Sequence, residues 1–187
     1  TREELKTLLD SPDRRTQPGI RDRAMLHLAY VGGLRVSELV SLRLDQFDPR
    51  TPATIHVIGK GRRERILPLW RETVTVLKDW LKIRRQTGDP ELFLNANGRA
   101  MTRSGFEYIL AKHVASAAEQ QPSLAEKRVS PHVLRHTCAM DILQATHDIR
   151  KVALWLGHSS VQTTEIYVRA DPTEKLEAIE AVLAGDR

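Results

Sequence analysis

The sequence predicts a mainly α-helical fold with a small antiparallel β-sheet (α+β). Three observations lead to that class. Apolar residues recur at helical spacing through long segments, notably residues 20–31, 70–87 and 102–118. Strand-like alternation is confined to short stretches, chiefly 54–58 and 65–69, which flank one tight turn. Helix-start and helix-stop signals, such as Ser130-Pro131, Asp148 with Gly157, and Asp171-Pro172, punctuate the chain in its second half.

In order, Thr1 to Leu9 reads as a short helix with Glu3 and Glu4 in its first turn, and residues 10–19 as a loop. Residues 20–31 form a largely buried helix, stopped by Gly32-Gly33. A helix resumes from Leu34 to about Leu42. The hairpin 54–69 turns through Gly59-Lys60-Gly61-Arg62-Arg63 and so carries three cations at its tip. Trp70 to about Thr87 is a helix with Trp80 in the core. Leu92-Phe93-Leu94 is a short strand closed by Asn95-Ala96-Asn97-Gly98. Residues 102–118 and 130–145 are helices, and Asp148 caps another that ends at Gly157. A short helical piece at 161–168 carries Tyr167, and a last helix follows Asp171-Pro172 with Leu176, Ile179, Val182 and Leu183 on one stripe. Tyr30 and Tyr108 lie in apolar helices and read as core, whereas His113 is structural or solvated.

Composition narrows the classes. The 187 residues make one domain long enough to bury a core. A net charge of +5 permits a nucleic-acid partner without requiring one. The single cysteine, Cys138, excludes an intramolecular disulfide and fits a reducing compartment. No apolar run approaches the ~18 residues that span a bilayer, and no signal peptide is visible. The expectation is a soluble, cytoplasmic protein. Because the chain opens on Thr1 and not Met, it is expected to be a fragment lacking an N-terminal part.

The chemistry concentrates in Ser130-Pro131-His132-Val133-Leu134-Arg135-His136. Ser130 reads as an N-cap and Pro131 as the first helical residue, so His132 and Arg135 stand near a helix N-terminus. Such an end has unpaired N–H groups and partial positive charge, which favour phosphate. Arg35 and Glu38 lie three apart on the resumed helix, so the carboxylate can orient the guanidinium; alone, the pair reads more simply as a surface ion pair. Lys60, Arg62 and Arg63 can reach into a nucleic-acid groove, or simply form a solvated turn. His158 just past a helix end could be no more than a C-cap.

Taken together, these residues suit phosphodiester transfer to a protein hydroxyl without a metal. Arginines balance the charge of a pentavalent phosphate, Tyr167 must lose its proton during attack, and the leaving sugar oxygen needs a proton from Lys or His. The usual metal signatures, His-Glu-x-x-His, cysteine clusters and Asp-rich loops, are absent from the sequence.

The set Gly33-Leu34-Arg35-Val36-Ser37-Glu38-Leu39, hairpin Lys60, His132-Val133-Leu134-Arg135-His136, Leu156-Gly157-His158-Ser159-Ser160 and Thr163-Thr164-Glu165-Ile166-Tyr167 resembles the tyrosine recombinases, the phage integrase and Xer-type enzymes. The resemblance covers nearly the whole chain in the family's order. It implies the tyrosine recombinase catalytic-domain fold, with Arg35 and Arg135 gripping the scissile phosphate and Glu38 supporting Arg35. His132 would assist proton removal from Tyr167, Lys60 would be the acid for the leaving 5′ oxygen, and His158 would donate a hydrogen bond to the phosphate. Tyr167 would form a 3′-phosphotyrosyl link that a second 5′ hydroxyl reseals, with no metal, ATP or other cofactor.

The same resemblance implies a bacterial, phage or mobile-element origin and a double-stranded DNA recombination site as partner. It also implies self-association into a tetrameric synapse, with residues 171–187 exchanged between protomers or folded back on their own. The family's N-terminal core-binding domain is missing from the 187 residues. Two other readings stay open: type IB topoisomerase-like relaxation by the same chemistry, and a non-catalytic DNA-binding module using the basic hairpin.

Overall fold

The computed structural model describes residues 1–157. The sequence expectations for His158, Tyr167 and the helices at 161–168 and 171–187 lie outside the described residues.

Helix α1 (Arg2–Asp10) starts from Thr1, whose hydroxyl accepts from the Glu4 amide while the Glu4 carboxylate returns to the Thr1 amine, a reciprocal capping box. Helix α2 (Gln17–Val31) begins earlier than the expected loop 10–19 allows. Thr16 caps the Gly19 amide and Pro18 falls in the first turn, a start signal inside the stretch read as loop. Ala24, Met25, Leu26 and Leu28 are fully buried, so α2 is enclosed and runs through the core. It packs against α1, against α4 (Arg71–Ile83) and against α6 (Pro131–Thr146).

After α2 the chain turns sharply. Gly33 takes a φ of +53°, which glycine adopts freely, and its Cα lies so close to the Leu156 side chain that a Cβ would clash. Helix α3 is short (Val36–Val40) and places Arg35 at its N-cap. The sheet is a three-stranded antiparallel meander of β1 (Phe47–Asp48), β2 (Thr54–Ile58) and β3 (Glu64–Pro68). Strand β1 was not expected; two residues are too few to show alternation. Ile55 pairs with Leu67 and Val57 with Arg65. Ile55, Val57 and Leu67 are buried on the inner face, so Arg65 points the same way.

Helix α4 ends at Ile83, short of the expected Thr87, because Arg84 leaves the helical region with ψ 124°. Its guanidinium donates to the carbonyls of Arg85, Asp89, Glu91 and Leu92, organising the loop in place of another helical turn. The expected strand 92–94 is not one. Leu92, Phe93 and Leu94 are all buried, and Leu94 makes only an isolated bridge to Ala100. Helix α5 (Arg103–Ala118), α6 and α7 (Ile149–Leu156) follow the expected bounds, capped by Thr102, Ser130 and Asp148. His113 on α5 is buried against Asp22 of α2 at 2.9 Å, a structural tie. Tyr108 departs from expectation: it is 73% exposed, because its position on α5 faces away from the Phe106, Ile109 and Leu110 stripe. No helix among the described residues is long and apolar enough to cross a membrane.

Candidate active site

The centre of the site is one buried carboxylate, Glu38, whose side chain is 3% exposed. Its Oε1 accepts from Arg35 Nη1 at 3.0 Å and from Arg65 Nη1 at 3.1 Å. Its Oε2 accepts from the Arg35 backbone amide at 2.9 Å and from Arg65 Nη2 at 2.9 Å, and Arg135 Nη1 lies 3.9 Å away. Burial alone would raise the pKa of Glu38. The hydrogen bonds and charge of Arg65, then those of Arg35, outweigh burial and hold it below the ordinary carboxylate range. The carboxylate is therefore ionised at neutral pH, and three guanidinium charges gather around it.

The arginines come from three separate elements. Arg35 is delivered by the Gly32-Gly33 turn and the α3 N-cap, Arg65 by the inner face of β3, and Arg135 by α6. Arg135 donates to the Gly33 carbonyl and, at 2.9 Å, to the Leu156 carbonyl. It thus holds the turn before Arg35 against the end of α7. Exposure differs among them: the Arg35 side chain is 41% exposed, whereas those of Arg65 and Arg135 are 9% and 4% exposed. Arg35 is the one of the three open to an incoming anion over much of its surface.

His132 is exposed in the first turn of α6, where Ser130 accepts from the Val133 amide. His136 sits one turn on, and burial together with the neighbouring His132 lowers its pKa. Lys60 opens the single 3₁₀ turn Lys60–Arg62 at the hairpin tip. Gly61 and Arg62 have φ of +73° and +57°, and Arg62 and Arg63 are exposed. The structure thus brings Arg35, Glu38 and Arg135 together and sets Lys60, Arg62 and Arg63 at the tip of the adjoining hairpin. His158 and Tyr167 lie outside the described residues.

Arg65 is the residue to which the sequence alone assigned no role. The signal was available in the alternation of β3. Arg65 and Leu67 share a face, so an arginine occupies an inward position of a half-buried strand and must meet an acid there.

Residues 1–174 match the model of the phage integrase family. The protein y4rC of Sinorhizobium fredii, provisionally named an integrase/recombinase, is 47% identical over 170 residues, covering 91% of this chain and 51% of its own. Tyrosine recombinase XerD of Listeria monocytogenes is 41% identical over 171 residues, covering 88% of this chain and 55% of its own. The crystal structure of XerH site-specific recombinase bound to its difH substrate before cleavage superposes with a TM-score of 0.79 at 27% identity, over 95% of this chain and 52% of that one. The chain spans about half the length of these relatives.

Proposed function

The chain belongs to the phage integrase family, and from that premise we propose that residues 1–187 are the catalytic domain of a site-specific DNA recombinase, cleaving and rejoining strands through Tyr167. The observation that carries the reading is the convergence of Arg35, Arg65 and Arg135 on buried Glu38. One carboxylate among three guanidinium groups leaves an excess of positive charge beside the N-terminus of α6. A phosphodiester anion suits that surplus.

In the reaction, the Tyr167 hydroxyl attacks the scissile phosphorus while His132 assists removal of its proton. Arg35 and Arg135 stabilise charge on the non-bridging oxygens, and His158 adds a hydrogen bond there. The bond from phosphorus to the 5′ oxygen breaks as Lys60 supplies that oxygen with a proton. The 3′-phosphotyrosyl bond keeps the energy of the one it replaced, so a 5′ hydroxyl from a second strand reseals it by the reverse steps. No external energy source or metal is used. Arg62 and Arg63 contact the duplex backbone from the hairpin tip. The recombinase names of the relatives favour strand exchange over topoisomerase-like relaxation or passive binding. Action on DNA makes the bacterial cytoplasm the expected site of work.

Recombination joins two sites, which calls for several copies on DNA. An apolar groove of about 890 Å³ between α1, α2, β3, α6 and α7 supports such self-association. Ile66, Trp70 and Leu154 in its lining are 68%, 57% and 75% exposed. Its occupant is residues 172–187 of a neighbouring copy, whose sequence carries the stripe Leu176, Ile179, Val182 and Leu183.

The test is covalent trapping. With a nicked DNA site whose short leaving strand diffuses away, wild-type protein should form an adduct stable to denaturing electrophoresis, and Tyr167→Phe should form none. A chelator should leave the yield unchanged. Adduct persisting in Tyr167→Phe would sink the assignment.

A further inference from the structure

We infer that Arg65 is a positioning residue: through the Glu38 carboxylate it sets the register between the hairpin carrying Lys60 and the arginines that grip the phosphate. The inference rests on the recombinase reading above and assigns a role which that reading leaves open.

The Arg65 side chain is 9% exposed, and its two Nη groups are taken up within the protein. Both its Nη atoms are committed to both oxygens of Glu38, a fork-to-fork pairing that fixes orientation as well as distance. The same two oxygens hold the guanidinium and the backbone amide of Arg35. Any shift of Glu38 therefore moves Arg35.

The other stem of the hairpin meets the same carboxylate. Gly59, immediately before Lys60, lies so near that a Cβ would stand 3.0 Å from Glu38 Oε1. The Gly59 amide closes the tip by donating to the Arg63 carbonyl at 2.7 Å. Residues 60–63 are thus gripped on both sides, by Gly59 and by Arg65, against the group that aims Arg35.

Arg65 also touches the end of α7. A Cβ on Gly157 would stand 3.1 Å from both Cδ and Nη1 of Arg65, and Gly157 turns the chain with a φ of +66° just before His158. Among the described residues the buried Arg65 Nε has no hydrogen-bond partner. The side chain leaves that donor unsatisfied while holding the bidentate geometry. One guanidinium therefore lies where the hairpin, the Arg35 helix and the exit of α7 meet.

A residue that positions the acid differs from one that only supports the fold in its response to the leaving group. Sulfur in place of the bridging 5′ oxygen departs without protonation, so a misplaced acid ceases to matter. The variants are Arg65→Lys, which keeps the charge and loses the fork, and Gly59→Ala, which presses on Glu38 without removing a charge. Single-turnover adduct formation is measured in the intact protein on oxygen and sulfur strands, with DNA affinity and thermal stability alongside.

Both variants should be slowed about 10- to 100-fold on the oxygen strand, a part of the ~100- to 10,000-fold worth of a general acid. On the sulfur strand they should come within about threefold of wild type, with DNA affinity retained; that residual is the part of the defect carried to the phosphate through Arg35, which sulfur cannot rescue. Equal slowing on both strands, or none on either, would overturn the inference even if one variant folds poorly and only the other is scored. Loss of the wild-type adduct altogether would overturn the recombinase reading, and the inference with it. A wild-type adduct with an unchanged oxygen-to-sulfur ratio in the variants overturns the inference alone.

Discussion

Trp155 Nε1 donates to the Val31 carbonyl at 2.9 Å, joining α7 to the last residue of α2. The contact sits one residue before Gly32-Gly33, the turn that aims Arg35. On the α7 side it is one residue before Leu156, whose carbonyl accepts from Arg135. Two elements far apart in sequence are thereby locked where the site needs them.

Trp155→Phe keeps an aromatic ring and removes the donor. Among the described residues the Val31 carbonyl would then retain only the Cys138 thiol, 3.6 Å away. The loss should cost about 1 kcal/mol, lowering the melting temperature by about 2–4 °C. Thermal denaturation reads it directly, and an unchanged midpoint would mean that the carbonyl finds another partner.

Arg135 should behave differently from Lys60. Charge on the non-bridging oxygens builds up whatever the leaving atom is, so removing Arg135 should slow cleavage of oxygen and sulfur strands alike. A fall of about 100- to 1,000-fold is expected, as for loss of a charge-stabilising donor. Arg135→Lys keeps the charge but cannot serve the Gly33 and Leu156 carbonyls in fork geometry, so it should also lose thermal stability. Sulfur rescue of either variant would contradict the clamp role.

His27 predicts an acid-sensitive window. It is buried in α2, its Nε2 4.0 Å from Glu72 Oε1 and without a hydrogen-bond partner among the described residues, with Arg23 and Asp10 nearby. Burial first, then the charge of Arg23, pushes its pKa down to about 4 from 6.5. Between those values the unfolded chain binds the proton more readily than the folded one. Stability is therefore complete above about pH 6.5 and falls as the pH drops towards 4. His27→Gln should flatten the dependence of melting temperature on pH across that window; parallel curves for variant and wild type would exclude the assignment.

Truncation tests the groove. Removing residues 172–187 should leave the monomer folded while weakening cooperative assembly on DNA, measured by band shifts at increasing protein concentration. Trp70→Ala in the groove should weaken assembly in the intact chain in the same way. Unfolding of the truncated monomer would mean that the segment docks on its own domain.

Much of this protein was legible in its order of residues. Ser130 and Asp148 announced helices α6 and α7 because an N-cap satisfies amides only two or three residues away, a local matter. The hairpin followed from alternation, and the pairing of Arg35 with Glu38 from a spacing of three. Where sequence expectations failed, the deciding partner was remote or the segment too short. Helix α4 stopped early because Arg84 found carbonyls beyond it, and Leu92 to Leu94 were buried without a strand to pair with. The sequence by itself determined which side chains could carry the chemistry. Only the tertiary structure decided that Arg65 from β3 and Arg135 from α6 would meet at Glu38 on α3, since a buried carboxylate draws its cations from whichever elements packing brings within reach.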